Sequence, residues 1–326
     1  MNKVNLTLSG LLFAQIGLAF AFSGRGPVET KGRMLAFPGL QVDQVTQLEI
    51  SGPELGSDGS VHTVKMIRSG EGWYLSELDD FPVTTKKVTD LLSIVRKLTT
   101  GPVVTTREVH YKKLLVADDA FERKIRIWQG EGSEPLEFVI GTKPHRDRAH
   151  FRKMSESEVY VVPEIDSWDI GVKNANWVEE KYINVPVERL QKLQIRNQLG
   201  QIGLSRGPNN EWQVDGAADA STIDSVKVAA LVKQAALVEL YQPLSKSNKK
   251  GYGMDNASVE VKMHISTSTT GGSSSSKMSE YRIGAQAVDE SFYVKFSDSD
   301  YYVKARKAEL NALLEATRSD LNKALE

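Results

Sequence analysis

The chain of 326 residues contains no cysteine. That excludes disulfides, thiolate metal sites, a cysteine nucleophile and a lipid-modified N-terminal cysteine. Both redox compartments tolerate such a chain, so location stays open on this ground. A charge excess is missing too. Lys+Arg 41 against Asp+Glu 42 leaves a net charge of −1, which gives no electrostatic reason to capture nucleic acid. No Gly-x-Gly-x-x-Gly opens a helix and no phosphate loop is present, so nucleotide hydrolysis is not expected of this chain. His62, His110 and His264 are scattered, and no Ser/His/Asp or HExxH arrangement occurs. Carboxylates abound, but no pair of them is legible as an acid/base couple. No catalytic residue, metal site or cofactor is expected, and the chain reads as a non-enzyme.

Long apolar runs are also scarce, with one exception. Leu6–Phe22 is apolar apart from Thr7, Ser9 and Gln15, and it follows Lys3 and the free amine. A positive start before an apolar run directs the remainder of the chain to the far side of a membrane. As a helix this stretch rises about 25 Å, slightly under a hydrocarbon core of roughly 30 Å. It is either a short anchor or a signal-peptide core. Ala19-Phe20-Ala21 offers the small residues a signal peptidase reads, but inside the apolar run. An uncleaved anchor is the favoured reading, with the bulk of the chain extracytoplasmic at a bacterial inner membrane.

What is present is a repeat. Val64–Arg68, a polar turn, Trp73–Leu75 and an amphipathic helix over Thr84–Leu98 form one series. Ile202–Arg206, a polar turn, Trp212–Val214 and a helix over Asp224–Leu240 form the second. Val88, Leu91, Leu92, Val95 and Leu98 recur as Val228, Leu231, Val232, Ala235 and Val238, each displaced by 140 positions. That spacing is one face of a helix. Gly141 and Gly284, and Tyr160 and Tyr302, continue the correspondence through the later strands. The Ser/Gly tract Ser266–Ser279 replaces the shorter Gln129–Pro135 turn and is expected as a flexible loop tip. A short helix is expected after Pro163, and a closing amphipathic helix over Lys307–Leu325.

Phe37-Pro-Gly-Leu40, Arg68–Trp73 with its following helix, Gly251–Asp255 before a strand, and Ile140-Gly141 with Val159–Val162 together resemble the bacterial domain-of-unknown-function family 4340. The resemblance covers nearly all of the chain after the apolar N-terminus. The first copy departs from the pattern, with Leu114–Asp119 where the second has Gly251–Asp255. The resemblance implies an anchored extracytoplasmic protein, often encoded beside transporters similar to the gliding-motility ATP-binding-cassette system. It therefore implies permease and ATPase partners, and it carries no catalytic residues.

The dense polar segment Lys143–His150 holds the remaining candidates. His145, Asp147 and His150 are the residue types of a metal site, and Lys143, Arg146, Arg148 and Arg152 those of an anion or partner contact. A solvated hairpin loop accounts for the same residues. Of these, His145, Arg146, Arg148 and Arg152 stand as the contact candidates. Trp73 and Trp212 would have to be exposed together to stack a sugar. Packing against the neighbouring helix explains both, and with Gly141 and Gly284 they mark the repeat. Alternating Tyr and Lys at Tyr293–Lys295 and Tyr301–Lys304 would line either a binding surface or a solvated hairpin face.

The fold expected is α+β: an N-terminal membrane or signal helix, then two tandem copies of a mostly antiparallel sheet with a packed helix. The divisions are an anchor at 1–23, a linker at 24–36, a first repeat at 37–170, a linker at 171–187 and a second repeat at 188–326. The function expected is that of an accessory scaffold in an envelope transport or gliding-related system, with a tethered polysaccharide-binding module as the alternative.

Overall fold

The computed structural model describes residues 34–323 except 55, 57, 58, 131, 218 and 269–273. The apolar run Leu6–Phe22, its small-residue motif and the linker after it lie outside the described residues. Among the described residues no helix is long and apolar enough to cross a membrane.

Alternation along strands builds the first sheet. The chain runs through β1 (Met34–Leu35), β2 (Val45–Pro53), β3 (Val61–Ser69), β4 (Gly72–Leu75) and β5 (Phe81–Val83) into helix α1 (Thr85–Lys97). It continues through β6 (Thr99–Thr100), β7 (Val103–Thr105), β8 (Arg123–Gln129), β9 (Leu136–Ile140), β10 (Arg148–Lys153) and β11 (Val159–Pro163). The sheet order is β5-β4-β3-β2-β8-β9-β10-β11-β7, with β1 and β6 as a separate antiparallel pair. Leu48 and Ile50 of β2, Val64 and Met66 of β3, and Ile125 and Ile127 of β8 point inward and are buried. Val88, Leu91, Leu92 and Val95 of α1 are buried with them, as the helical spacing requires.

The second sheet is laid out in the same way. It uses β12 (Lys181–Asn184), β13 (Leu190–Asn197), β14 (Gly200–Arg206), β15 (Trp212–Val214), helix α2 (Ser225–Ala236), β16 (Leu237–Glu239) and β17 (Gln242–Pro243). Then come β18 (Val259–Ser268), β19 (Ser274–Gln286), β20 (Phe292–Phe296), β21 (Tyr302–Ala305) and helix α3 (Lys307–Glu315). Its order is β15-β14-β13-β18-β19-β20-β21-β17, with β12 and β16 as the separate pair. Strand for strand, only β5 has no counterpart among the described residues.

Several elements depart from the sequence expectation. The helix read over Asp224–Leu240 starts as expected, with the Asp224 carboxylate accepting from the Val226 and Lys227 amides. It ends at Ala236, because β12 offers a ladder in which Ile183 faces Val238, and Val238 is buried as a strand residue. The closing helix stops at Glu315 rather than near Leu325. There the Asn197 amide donates to the carbonyls of Leu313 (3.0 Å) and Ala316 (2.8 Å), satisfying groups that a helix end leaves open. Leu310, Leu313 and Leu321 are buried all the same. The Ser-rich tract is mostly a ladder, not a loop: Ser266 faces Ser276 and Ser268 faces Ser274. Backbone pairing needs no apolar side chain, and composition alone could not reveal it. After Pro163 the expected short helix is a single 3₁₀ turn, Ser167–Asp169, capped by Asp166.

One hydrophobic core runs through the inner faces of both sheets. The stretch 171–187 is packed into it, with Val172, Trp177, Val178 and Ile183 buried. Trp177 and Val178 hold α1 from outside: the Thr84 amide donates to the Trp177 carbonyl (2.8 Å) and Lys87 Nζ to the Val178 carbonyl (3.0 Å). Tyr301, just before β21, reaches the turn before β5. Its hydroxyl donates to the Asp80 carbonyl (2.5 Å), and its ring meets that of Phe81 at 4.5 Å. Asp79 and Asp80 both take left-handed backbone conformations, φ 56° and 61°, which Asp tolerates better than most residues.

Candidate functional site

The four contact candidates do not converge. The Arg148 amide donates to the His145 carbonyl (3.1 Å), closing a tight turn, and His145, Arg146 and Arg148 are all exposed around it. Lys143 at the start of the segment is paired with Asp166. Arg152 is elsewhere and only 5% exposed. Its Nε donates to the Val116 carbonyl (2.8 Å), an Nη pairs with Asp118 (2.5 Å), and its guanidinium lies 4.6 Å from the Tyr111 ring. It is a strut that holds the stretch Tyr111–Asp118 over the outer face of the sheet. His150 is buried on the same face, its Nδ1 within 2.8 Å of the Thr142 carbonyl. Among the described residues no group of His, Asp and Glu is placed to hold a metal ion.

Gly141 and Gly284 bear on the point at which the sequences of the two halves part. A Cβ on Gly141 would fall on the carbonyl oxygen of Leu114, and one on Gly284 on that of Tyr252. Different sequences therefore cross the same strand position, and both crossings need glycine. Each crossing covers a small outer cluster. One is Tyr111, Val116, Ala117, Val139 and Val159; the other is Tyr252, Met254 and Tyr302. The Tyr/Lys alternation belongs to the second, where Tyr252 stacks on Tyr293 at 4.2 Å and Lys304 pairs with Asp289 at 3.0 Å.

The tryptophan pair is not an exposed platform. Trp73 is 3% exposed within the core. Trp212 is half-buried, with the Arg206 guanidinium 4.7 Å from its ring. Ladder registers reveal a different aromatic row. Tyr74 faces Ile67 across β3–β4, Ile67 faces Gln47 across β2–β3, and Gln47 faces Trp128 across β2–β8. These four stand beside one another on the outer face, one per strand. Tyr74, Ile67 and Trp128 are half-buried, and none of them joins a core cluster. The next row is charged and internally paired, with Arg126 bonded to Glu49 (3.0 Å) and Glu137 (2.9 Å). The equivalent row of the second sheet is polar: Gln213, Ser205, Lys192 and His264. Sequence reading missed this surface because each member sits in a different strand, and only the register aligns them.

A hollow of about 520 Å³ lies where Phe37–Leu40 passes Gln129, Glu137 and the β10–β11 turn. Lys153 there pairs with Glu156 (2.9 Å) and sits 5.6 Å from the Phe37 ring. Its charged groups are paired within the chain, Lys153 with Glu156 and Glu137 with Arg126. A second hollow, about 280 Å³, lies between the sheets, bounded by His62, Lys173, Asn174 and Tyr241.

A protein-family model described as a domain of unknown function, DUF4340, matches residues 73–256. The match is a single run from β4 of the first sheet to the turn before β18 of the second. No curated protein and no solved structure matches the chain.

Proposed function

The chain belongs to the DUF4340 family, and on that premise we propose that it is a non-enzymatic, membrane-anchored extracytoplasmic accessory subunit of an ABC-type transport or gliding-related envelope system, acting as a scaffold. The observation that carries the reading is the continuous core. Two sheets share one apolar interior and are pinned at the N-terminal end of α1 and at Tyr301, which makes a stiff body suited to presenting fixed surfaces. The body's first strand, Met34–Leu35, follows the apolar run Leu6–Phe22 by a short stretch of chain, so its placement beside a membrane partner would be restrained. The permease and the ATPase would be separate subunits. A mild-detergent pull-down of the full chain from its native membrane, with mass spectrometry of partners and of its own N-terminus, tests this. Recovery of a permease and an ATPase with residues 1–22 intact is the expected result. A lone protein beginning near Phe22 would overturn it.

The outer aromatic row favours a second reading, a tethered module for envelope polysaccharide. Tyr74 and Trp128 would stack on sugar rings while Gln47 bonds hydroxyls, and the self-neutralised charged row alongside would suit an uncharged chain. Cosedimentation with insoluble envelope polysaccharide tests it. Tyr74→Ala with Trp128→Ala should weaken retention on the order of tenfold if this reading holds.

A further inference from the structure

Five of the twelve large apolar side chains that the described residues leave in solvent share one corner. Met34 and Leu35 of β1 are 62% and 49% exposed, Ile94 of α1 is 42%, and Val103 and Val104 of β7 are 51% and 46%. Their contiguity arises from the pairing. Met34 faces Thr100 and Leu35 faces Thr99. Thr99 also lines a hollow of about 350 Å³ with Ile94, Lys97 and Pro163, and β7 begins three positions after β6 ends. β7 is the edge of its sheet. Successive side chains of a strand point to opposite faces, yet both valines are open to solvent. Edge strands are normally guarded by charge or proline; here Pro102 stands just before the strand, and the strand itself carries no charge. Lys97 and Glu164 line that hollow, exposed Arg107 follows β7 by two positions, and Glu158 precedes Val159, which pairs with Thr105 of β7.

We propose that this corner rests on the surface of the lipid bilayer, with Met34, Leu35, Ile94, Val103 and Val104 entering the interfacial layer and Lys97 and Arg107 meeting anionic headgroups. The inference rests on the anchored reading above and deepens it by naming the face that touches the membrane. What selects the bilayer as occupant is where the chain leaves the described body. Phe22, the end of the apolar run, lies 12 positions before Met34. Even fully extended, that stretch spans no more than about 40 Å, so the corner cannot drift far from the membrane.

The lack of cysteine makes the test direct. Val104→Cys in the full chain provides a single attachment point for an environment-sensitive fluorophore. Val288→Cys, at a fully exposed position in the β19–β20 turn, is the control. Each labelled protein is reconstituted into phosphatidylcholine vesicles containing phosphatidylglycerol, and lipids with a nitroxide near the headgroup serve as quencher. Flotation with the vesicles, together with severalfold stronger quenching at position 104 than at 288, is the expected result. Flotation with equal quenching at the two positions overturns the docking surface and leaves the anchor standing. A crosslink from position 104 to a protein in native membranes would then identify the true occupant. Protein that stays in the aqueous fraction overturns the anchor and the docking surface together.

Discussion

Gly141 and Gly284 are the residues at which the two halves of the molecule can be compared most directly. Each lies under a backbone carbonyl of a crossing segment, so an added methyl group has no flexible neighbour to displace. Gly141→Ala and Gly284→Ala should each cost on the order of 2 kcal/mol by the usual penalty for overpacking, read as a lower midpoint in urea denaturation. A small effect at only one of them would mean the crossings are not equivalent. Glu309 offers a test of charge. One of its carboxylate oxygens is buried without a partner. Burial, and then the nearby Glu239, hold its pKa above the ordinary glutamate value. The folded state therefore binds this proton more tightly than the unfolded chain. Its contribution is fully present below the ordinary glutamate range and is lost as pH rises through the raised value. Glu309→Gln should match the parent in thermal midpoint at acid pH and exceed it at neutral pH. Equal midpoints at both would show that the carboxylate is relieved by solvent.

At the scale of elements, the amphipathic stripes and both ends of α1 were read correctly, and the C-terminal ends of α2 and α3 were not. Val88, Leu91, Leu92 and Val95 identified α1 because a helix must bury one face. Nothing in Leu237–Glu239 distinguishes a last helical turn from a strand, since Val238 is buried in either. The partner strand Lys181–Asn184 decided it. The Ser-rich ribbon is the opposite case, where polarity concealed regular pairing. Beyond Ile265, β18 pairs with β19 but has no further partner in β13. Replacing residues 267–275 with a two-residue turn should change stability by less than about 0.5 kcal/mol, as for surface changes in general, with a thermal midpoint near that of the parent. A large loss would mean the ribbon packs on the body.

For the whole molecule, the shared core predicts shared unfolding. Separate domains would melt separately, whereas sheets that share an interior should lose it together. Calorimetry should give one transition whose calorimetric and van't Hoff enthalpies agree. Amides of β2 and β18 should exchange at matching rates under conditions of global opening. Tyr301→Phe removes only the hydroxyl bond to the Asp79–Asp80 turn and should cost about 1 kcal/mol, with the single transition retained. Two transitions in the parent would mean that the inner faces hold together less firmly than their burial implies.

The sequence by itself determined the α+β class, the burial of Trp73, the two amphipathic helices and the family. These depend on short-range periodicity and on motifs a few residues long. Only the tertiary structure decided that Arg152 is a strut rather than a ligand contact, and that both glycines lie beneath crossing backbone. It alone aligned Tyr74, Ile67, Gln47 and Trp128 in one row and gathered apolar residues from β1, α1 and β7 at one corner. Each of these depends on register or on contacts between segments far apart in the chain. A one-residue slip of a strand would carry such a side chain to the opposite face.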